Sequence, residues 1–327
     1  MRWRTAIDWT LETAVVPSFT RVGPALRRRI FDWEPLAAHR MDGRTAVVTG
    51  ATSGLGLVTA RELARLGASV VLLVRDTARG EAVSSDIAAA TGNNAVRVVR
   101  VDMGDLDAVR KAAVDLGPRP IDVLVHNAGA MSETRTLTER GIEQTVATHL
   151  VGPFLLTHLL GRALRARPSR VIFVTSGGMY TEPLAVDRLE MEEAGYSGVT
   201  AYARAKRAQV GLVEYWAPRL LPLGITLNAM HPGWADTPGL RSSLPMFTQI
   251  LRPLLRSALD GADTIVWLAS APSAGLPEGA LWLDRRPRPA HRIPSTRHSD
   301  TEGERQRLWE FLCERSGISP AELRALA

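Results

Sequence analysis

Residues 44–56, RTAVVTGATSGLG, decide the fold. Residues 44–49 are an apolar run typical of a buried strand, and the rest is a glycine-rich turn leading into a helix predicted to end near residue 66. Glycines there let the backbone reverse tightly and let a pyrophosphate approach the N–H groups at the start of a helix. The spacing is Gly-x-x-x-Gly-x-Gly rather than Gly-x-Gly-x-x-Gly, so a turn without a ligand is the alternative.

Six further apolar runs follow, and helical stretches separate them. The expected strands span residues 69–74, 96–101, 121–126, 171–175, 225–230 and 281–283. The helices between them include a long one predicted over 139–167 and another over 200–220. Continuous apolar strands that alternate with helices indicate a parallel sheet with both faces covered. We therefore predict an α/β fold, a single doubly wound, Rossmann-type domain.

Two flanking regions stand apart from this domain, which we place at residues 42–286. Residues 1–41 form an extension in which Trp3, Ile7 and Leu11 follow helical spacing, so an amphipathic helix is expected. Its apolar face could dock on its own domain, on a partner or on a membrane surface. Residues 287–327 form a tail with short helices predicted over 302–313 and 320–327.

Composition excludes several classes of function. The 327 residues carry a net charge of +6, but the arginines are spread along the chain, so no nucleic-acid partner is expected. The single cysteine, Cys313, leaves neither an intramolecular disulfide nor a zinc cluster, and no metal site is predicted. A reducing, cytoplasmic location fits this composition. No run of 18 apolar residues exists, so no membrane-spanning helix is predicted.

The end of the second predicted strand indicates which dinucleotide binds. An NAD site usually carries an acid there, which binds the ribose 2′-hydroxyl. Val74 takes that place, and Arg75 follows it and could pair with a 2′-phosphate. The sequence therefore predicts NADP(H), with NAD(H) as the alternative because Asp76 comes one residue later.

Later turns add candidate cofactor contacts at the carboxyl ends of strands, where open α/β sheets bind ligands. Asp102 and Met103 end the third strand, and Asp102 could accept a hydrogen bond from the adenine amino group. Asn127, Ala128 and Gly129 follow the fourth strand. In the first turn, the residues expected to contact the cofactor are Gly50, Thr52, Ser53, Gly54, Leu55 and Gly56.

A tyrosine and a lysine lie one helical turn apart in the predicted helix over 200–220. The chain has only two lysines, Lys111 and Lys206, and Lys206 follows Tyr202 by four residues. A phenol and an ammonium at this spacing can share a helix face. Alone, the pair is weak evidence, because surface helices often carry a tyrosine and a lysine one turn apart.

Together these pieces resemble the short-chain dehydrogenase/reductase family. The matching residues, in the family's order, are 49–56, 127–129, Ser176, Tyr202, Lys206, Pro232 and Gly233. The resemblance covers roughly residues 42–285. Further stretches, at 174–179, 231–239, 261–264 and 284–287, are similar to the retinol-dehydrogenase-like branch, in particular to the subgroup of dehydrogenase/reductase member twelve.

The resemblance implies a role for each matching residue. Tyr202 would be the general acid in reduction and the base in oxidation, and Ser176 would hold the substrate oxygen. Lys206 would bond the nicotinamide ribose and lower the pKa of Tyr202; a cation about 5 Å away contributes roughly 3 kcal/mol, or about two pKa units. Thr237 would contact the nicotinamide carboxamide, and residues 127–129, Pro232 and Gly233 would line the cofactor groove.

Two departures from the family pattern accompany the match. His149 stands where the family has an asparagine that anchors a water in a proton relay; a relay, a packing role and impaired catalysis are the alternatives. Ser176 and Tyr202 are 26 residues apart, a wider gap that the retinol-dehydrogenase-like branch shares. The intervening loop, residues 179–197, is expected beside the substrate. Its apolar residues are Tyr180, Leu184, Val186, Leu189 and Met191.

The expected function is an NADP(H)-dependent oxidoreductase that interconverts a carbonyl and an alcohol on a small molecule. The apolar loop and the apolar segment 239–255 predict a lipophilic substrate. The alternative is a dinucleotide-binding sensor without turnover or a membrane-associated scaffold, because of His149 and the Trp/Arg-rich N-terminus. Peripheral membrane contact through residues 1–40 and a homo-oligomer are further expectations.

Overall fold

Eight strands form one sheet in the computed structural model, which describes residues 2–272 and 276–318. They are β1 (Thr45–Thr49), β2 (Ser69–Val74), β3 (Val96–Arg100), β4 (Val123–His126), β5 (Ser169–Val174), β6 (Ile225–Met230), β7 (Leu281–Leu283) and β8 (Arg286–Arg288). Their order is β3-β2-β1-β4-β5-β6-β7-β8, with β1 to β7 parallel and β8 antiparallel to β7. The strand order reverses between β1 and β4, which confirms the doubly wound fold.

Helices cover both faces of the sheet. They are α1 (Arg2–Thr13), α2 (Val16–Phe19), α3 (Val22–Ile30), α4 (Gly54–Arg65), α5 (Thr77–Thr91), α6 (Leu106–Leu116), α7 (Gln144–Val146), α8 (Gly152–Leu159), α9 (Gly161–Leu164), α10 (Gly198–Leu220), α11 (Pro238–Ser243), α12 (Pro245–Leu251), α13 (Ala258–Ser270), α14 (Pro294–Arg297) and α15 (Glu302–Ser316). None within the described ranges is long and apolar enough to cross a membrane.

The core has two layers because successive side chains of a strand point to opposite faces. In β1, Val47 belongs to the layer covered by α6, α8, α10 and α15. Its neighbours Ala46 and Val48 belong to the layer covered by α4, α5 and α13. Burial on both faces explains why the strands read as continuous apolar runs.

The long helix predicted over 139–167 is wrong in its start and its continuity. Helix α7 begins only at Gln144, after Glu143 caps it with both carboxylate oxygens, and a π-helical turn, Ala147–Val151, follows. Pro153 has no N–H to donate to the carbonyl of His149, four residues earlier. Gln209 of α10 donates to that carbonyl instead, at 2.7 Å. This proline is a physical reason for the irregular turn.

The N-terminal extension forms three helices rather than one, and charged groups dock it on the sheet domain. Arg27, on α3, is fully buried; its guanidinium donates to Asp284 at 2.6 Å and to Asp8 and Glu12 of α1 at 2.7 Å each. Arg256 also donates to Asp284, at 2.6 Å. We call Arg27, Arg256, Arg288, Asp8, Glu12 and Asp284 the Arg27 cluster.

The hairpin that joins β7 to β8 carries the central acid of this cluster. Asp284 and Arg285 have φ angles of 53° and 56°, a conformation that aspartate tolerates better than most residues. Strand β8 was not predicted, because it is only three residues long and has Pro287 at its centre. In the tail, the helix predicted over 302–313 extends to Ser316, and the one predicted over 320–327 lies outside the described residues.

Candidate active site

The glycine turn after β1 packs so closely that side chains would not fit. Gly50 has a φ of +66°, and a Cβ there would lie 2.8 Å from the Cα of Ala128. A Cβ on Gly56 would overlap the amide of Asn127 and the carbonyl of Gly50. Small residues are therefore required where β1 turns into α4, as the sequence predicts.

Asn127 and Thr49 fasten the ends of β4 and β1 together. The Asn127 amide donates to the carbonyl of Thr49 at 3.0 Å, and the Thr49 hydroxyl accepts from the backbone N–H groups of Asn127 and Ala128 at 3.0 and 2.9 Å. The Asn127 side chain therefore shapes the groove by holding its two walls. This structural duty comes in addition to the cofactor contact predicted for it.

Helix α4 begins beside the residue expected to contact nicotinamide. Ser53 precedes the helix without a side-chain cap, and Thr52, Ser53 and Leu55 are half-buried. A Cβ on Gly54 would lie 3.4 Å from Thr237, which in turn caps α11. The structure thus brings the predicted pyrophosphate turn and Thr237 to one place.

Arg75 and Asp76 differ in whether their side chains already have a bonding partner. The Arg75 side chain is exposed and, within residues 2–272 and 276–318, takes part in no ion pair. The Asp76 carboxylate accepts from the backbone N–H of Arg79 at 3.0 Å and so caps α5. The acid that made NAD(H) an alternative is therefore engaged by its own helix.

Asp102 and Met103 also lie at the cofactor edge but have other partners. Asp102 accepts from the backbone N–H of Gly104 at 2.9 Å, and it remains half-buried. The Met103 side chain is buried in the core. The cofactor contact expected of Met103 therefore stays a prediction.

Ser176, Tyr202 and Lys206 come together where β5 ends against α10. The Ser176 side chain lies close enough to the Tyr202 phenol to lower its pKa. The Lys206 ammonium donates to the carbonyl of Val174 at 2.8 Å and lies 5.5 Å from the centre of the Tyr202 ring. The one-turn spacing read from the sequence does place the phenol and the ammonium on one helix face.

Burial dominates the ionisation of this group. It raises the pKa of Tyr202 above its ordinary value, and the nearby Ser176 side chain opposes that rise only in part. Burial lowers the pKa of Lys206 to about 7. Burial thus sets the direction of the Tyr202 pKa in the protein alone, and the lowering expected from Lys206 stays a prediction for the enzyme with its cofactor bound.

His149 lies on the π-helical turn and touches the catalytic tyrosine candidate. Its ring is 5.3 Å from that of Tyr202, edge to face, and a Cβ on Gly129 would overlap it. Its Nε2 lies 2.9 Å from the carbonyl and 3.2 Å from the N–H of Ala130, while Nδ1 is buried without a partner in the described ranges. Burial, with help from Lys206, lowers the pKa of His149 to about 3, so the ring is neutral.

A cavity of about 530 Å³ opens beside the start of α10. It is lined by Met131, Ser132, Glu133, Tyr196, Ser197, Gly198, Val199, Ser242 and Ser243. The expectation that the apolar residues of loop 179–197 face the substrate is wrong, because Tyr180, Leu184, Val186 and Leu189 are buried in the core. Only the end of the loop, Tyr196 and Ser197, reaches the cavity.

Comparison with known proteins identifies the family of the chain. The family model described as short chain dehydrogenase matches residues 44–246. The chain belongs to the short-chain dehydrogenase family. It is 40% identical over 278 residues to dehydrogenase/reductase SDR family member 12 of Bos taurus, an alignment covering 84% of this chain and 87% of that protein.

Other relatives support the branch and the fold. Retinol dehydrogenase 12 of Bos taurus is 33% identical, over 91% of this chain and 94% of its own. A solved short chain dehydrogenase from Burkholderia cenocepacia J2315, in complex with NADP, is 27% identical with a TM-score of 0.59, over 74% of this chain and 96% of its own. This short-chain dehydrogenase is therefore an oxidoreductase of the retinol-dehydrogenase-like branch, as the resemblance predicts.

Sequence reasoning missed one part of the site, the contribution of the N-terminal extension. Phe19 is buried at 3% exposure and lies 4.7 Å from the ring of His231 and 5.7 Å from that of Trp234. These two residues flank Pro232 and Gly233, the predicted cofactor loop. No local pattern around Phe19 signals this placement, because the partners lie more than 200 residues away.

Proposed function

We propose that this enzyme uses NADP(H) to interconvert a carbonyl and an alcohol on a small lipophilic molecule, with Tyr202 as the general acid and base. The observation that carries the proposal is the gathering of Ser176, Tyr202 and the buried Lys206 ammonium where β5 meets α10, with the ammonium 5.5 Å from the Tyr202 ring. A phenol, a hydroxyl and an ammonium gathered at the carboxyl end of a strand can bind a carbonyl oxygen and transfer a proton to it.

The residues of the glycine turn fit a dinucleotide. Gly50, Gly54 and Gly56 leave no side chain over the start of α4, so a pyrophosphate can approach its N–H groups. Arg75 is exposed and unpaired within the described ranges, which suits a 2′-phosphate, while Asp76 is engaged as a helix cap. When bound, NADP(H) supplies or accepts the hydride. The relative solved with NADP supports the same choice.

Each catalytic side chain has a proposed duty. Because burial raises the pKa of Tyr202, its phenol is protonated at neutral pH and can donate to the substrate oxygen in reduction. Ser176 holds that oxygen beside the phenol. In the oxidative direction Tyr202 must accept a proton, and the Lys206 charge stabilises its phenolate form.

His149 has one ring nitrogen, Nδ1, that is available to a relay water. Its Nε2 is occupied by the backbone of Ala130, so a relay water would bind at Nδ1. We propose that His149 both supports the Tyr202 ring and accepts this water. His149→Asn, which restores the family's residue, should then keep turnover within about threefold, whereas His149→Leu should lower it about tenfold.

The cavity suits a small molecule, since its volume falls within the range of about 300–1,000 Å³ for ligand sites. Met131 and Val199 give it apolar surface, and serines give it hydrogen-bonding atoms. The next helix, α12, exposes Met246 and Ile250. We propose that a lipophilic substrate extends toward α12, so kcat/KM should rise with chain length across a series of linear aldehydes. If kcat/KM did not rise with chain length, the proposal of a lipophilic substrate would be contradicted.

A cofactor titration is the first experiment. NADPH and NADH are titrated separately, with energy transfer from the eight tryptophans as the signal. Tighter binding of NADPH supports the glycine turn and Arg75. Tighter binding of NADH would leave the family assignment intact but make NAD(H) the cofactor. If neither dinucleotide bound, the proposed oxidoreductase activity would be overturned, and the fold would serve a role without turnover.

Tyr202→Phe tests the acid and base directly. Turnover should fall by roughly 10²–10⁴ while cofactor affinity is nearly unchanged, because only the reacting hydroxyl is lost. Tyr215→Phe, on the same helix, is the matched control and should turn over normally. Equal turnover in both variants would remove Tyr202 from the mechanism.

A second proposal concerns the outer surface of the N-terminal extension. Helix α1 faces its acids, Asp8 and Glu12, inward and leaves Trp3 and Trp9 exposed at 57% and 69%. The backbone N–H of Arg21 bonds the carbonyl of Leu254 at 2.9 Å, which joins this region to the exposed apolar residues that follow α12. Exposed tryptophans, together with the exposed Arg21 and Arg29 of the same extension, suit an anionic lipid surface, so we propose peripheral membrane contact here.

Vesicle flotation tests this contact. The full chain should float with vesicles containing phosphatidylglycerol and less with pure phosphatidylcholine, and Trp9→Ser should weaken flotation. Val114→Ser, which changes an exposed side chain on α6, is the control. Flotation equal in Trp9→Ser and Val114→Ser would contradict the proposal. The homo-oligomer and the cytoplasmic location expected from the sequence stay predictions.

A further inference from the structure

Phe19 touches two loops that carry proposed site residues. An added Cβ on Gly177 would lie 2.5 Å from the Phe19 ring, so the ring rests directly on the residue that follows Ser176. On its other side the Phe19 carbonyl accepts from the backbone N–H of Trp234 at 2.8 Å. One residue of the extension thus bridges the loop after β5 and the loop after β6.

The contact with the first loop reaches Ser176 through short, fixed structure. Ser176 caps the 3₁₀ turn Gly177–Thr181, its hydroxyl accepting from the N–H of Gly178 at 3.2 Å. Tyr180, in the same turn, lies 6.3 Å from Phe19. A change in the Phe19 ring is therefore transmitted to the turn that Ser176 caps, and Ser176 holds the substrate oxygen in the proposed function.

The contact with the second loop is made by backbone atoms in addition to the ring contacts with His231 and Trp234. Gly233 has a φ of +68°, and a Cβ there would lie 2.7 Å from the Phe19 carbonyl. Arg256, fixed by Asp284, donates from Nε to the same carbonyl at 2.9 Å. The Arg27 cluster therefore holds Phe19 in place, and Phe19 holds the loop that leads to Thr237.

We propose that Phe19 is a positioning residue for catalysis: its ring and carbonyl set the distance between Ser176 and the Gly233 loop, so the N-terminal extension completes the active site. This inference rests on the proposed function. It predicts that a truncated ring lowers the rate of the chemical step, because a displacement of about 1 Å in a catalytic site can lower the rate about 10²-fold.

The test compares Phe19→Ala with Ile30→Ala. Ile30 is also buried in the extension, at 6% exposure, so both variants should lose stability, but only Phe19 touches the Ser176 loop. Phe19→Ala should lower kcat roughly 10- to 100-fold, with KM and the Kd for NADPH changed less than about threefold. Phe19→Leu should restore most of kcat. Equal kcat losses in Phe19→Ala and Ile30→Ala, or no loss in either, would overturn the proposal.

Hydrogen exchange gives a second readout that needs no turnover. In Phe19→Ala the amides of residues 177–181 and 233–237 should exchange faster than in Ile30→Ala, while those of β1 and β4 stay protected in both. If the wild type reduces no carbonyl at all, the proposed function fails, and exchange still decides this inference. Equal exchange of the two loops in both variants would overturn it.

Discussion

Two buried cations, Lys206 and Arg27, differ in their partners. Lys206, on α10, is 3% exposed and, in the part of the chain that the structure describes, has no carboxylate partner. Its ammonium bonds only the neutral carbonyl of Val174. Burial is therefore uncompensated, and it lowers the pKa of Lys206 to about 7.

Arg27, in the extension, is buried as deeply but is surrounded by acids. Burial alone would lower the pKa of Arg27, but Asp284 and Asp8 outweigh burial and raise it. Its charge is thus permanent, and the surrounding carboxylates depend on it. The comparison teaches that a paired buried cation fixes structure, while an unpaired one reduces stability and remains available for proton chemistry.

Of the three cations compared, removal of Arg27 should lower the free energy of unfolding the most. Arg27→Met leaves the carboxylates of Asp8, Glu12 and Asp284 buried with fewer partners, so the free energy of unfolding should fall by about 3 to 5 kcal/mol. Urea denaturation followed by tryptophan fluorescence measures it. Arg29→Met, which removes an exposed arginine of the same helix, should change little; equal losses would contradict the structural role of Arg27.

Removal of Lys206 should do the opposite to stability. The shift of its pKa from 10.5 to about 7 corresponds to about 5 kcal/mol, and the lost bond to Val174 offsets part of that. Lys206→Met should therefore raise the free energy of unfolding by about 1 to 4 kcal/mol while turnover falls roughly 10²-fold. Lys111→Met, at the exposed second lysine, is the control; a less stable Lys206→Met protein would refute the comparison.

The pH dependence of stability sharpens the same point. Because the folded pKa of Lys206 is about 7 and the unfolded one about 10.5, the unfolded chain binds more protons between these values. Stability should therefore rise with pH from 7 to 9, by at most about 1.4 kcal/mol per pH unit from this group. Urea denaturation of wild type and Lys206→Met at several pH values should show this slope in the wild type alone. Parallel curves would mean that Lys206 keeps an ordinary pKa.

Arg75 is the third case, an exposed cation without a partner in the described ranges. Its loss should leave stability unchanged, because nothing buried depends on it. Arg75→Ala should weaken NADPH about tenfold and NADH hardly at all, since only the 2′-phosphate contact is lost. Arg79→Ala, a nearby arginine of α5, serves as the control in the same fluorescence titration. Equal weakening of both cofactors would show that Arg75 does not contact the phosphate.

Much of the fold and of the candidate site could be predicted from the sequence. Apolar runs and the glycine turn specify strands through local pattern, so β1 to β7 were found within a few residues. The pairing of Tyr202 and Lys206 could be predicted because one helix carries both. These features depend on neighbours in the chain, where spacing determines geometry.

The features that could not be predicted depend on distant partners. The π-helical turn before α8 depends on Gln209 of α10, which donates to the His149 carbonyl in place of the N–H that Pro153 lacks. The burial of Tyr180 and Leu184 in the core, rather than at the substrate, is a matter of packing. The pKa of Tyr202 depends on how deeply the group is buried, and residue spacing carries no information on depth.

The pairing of Arg27 with Asp284 determines when, during synthesis, the N-terminal extension can dock. The two residues are 257 positions apart, so at about 5–20 residues per second Asp284 leaves the ribosome roughly 13 to 50 s after Arg27. Until then α1 and α3 have no hairpin acid to dock on, and Arg27 can pair with Asp8 and Glu12 but not with Asp284. Helices α1 and α3 are thus synthesised well before they can be fixed in place, and Phe19 packs on the Ser176 loop only when they dock.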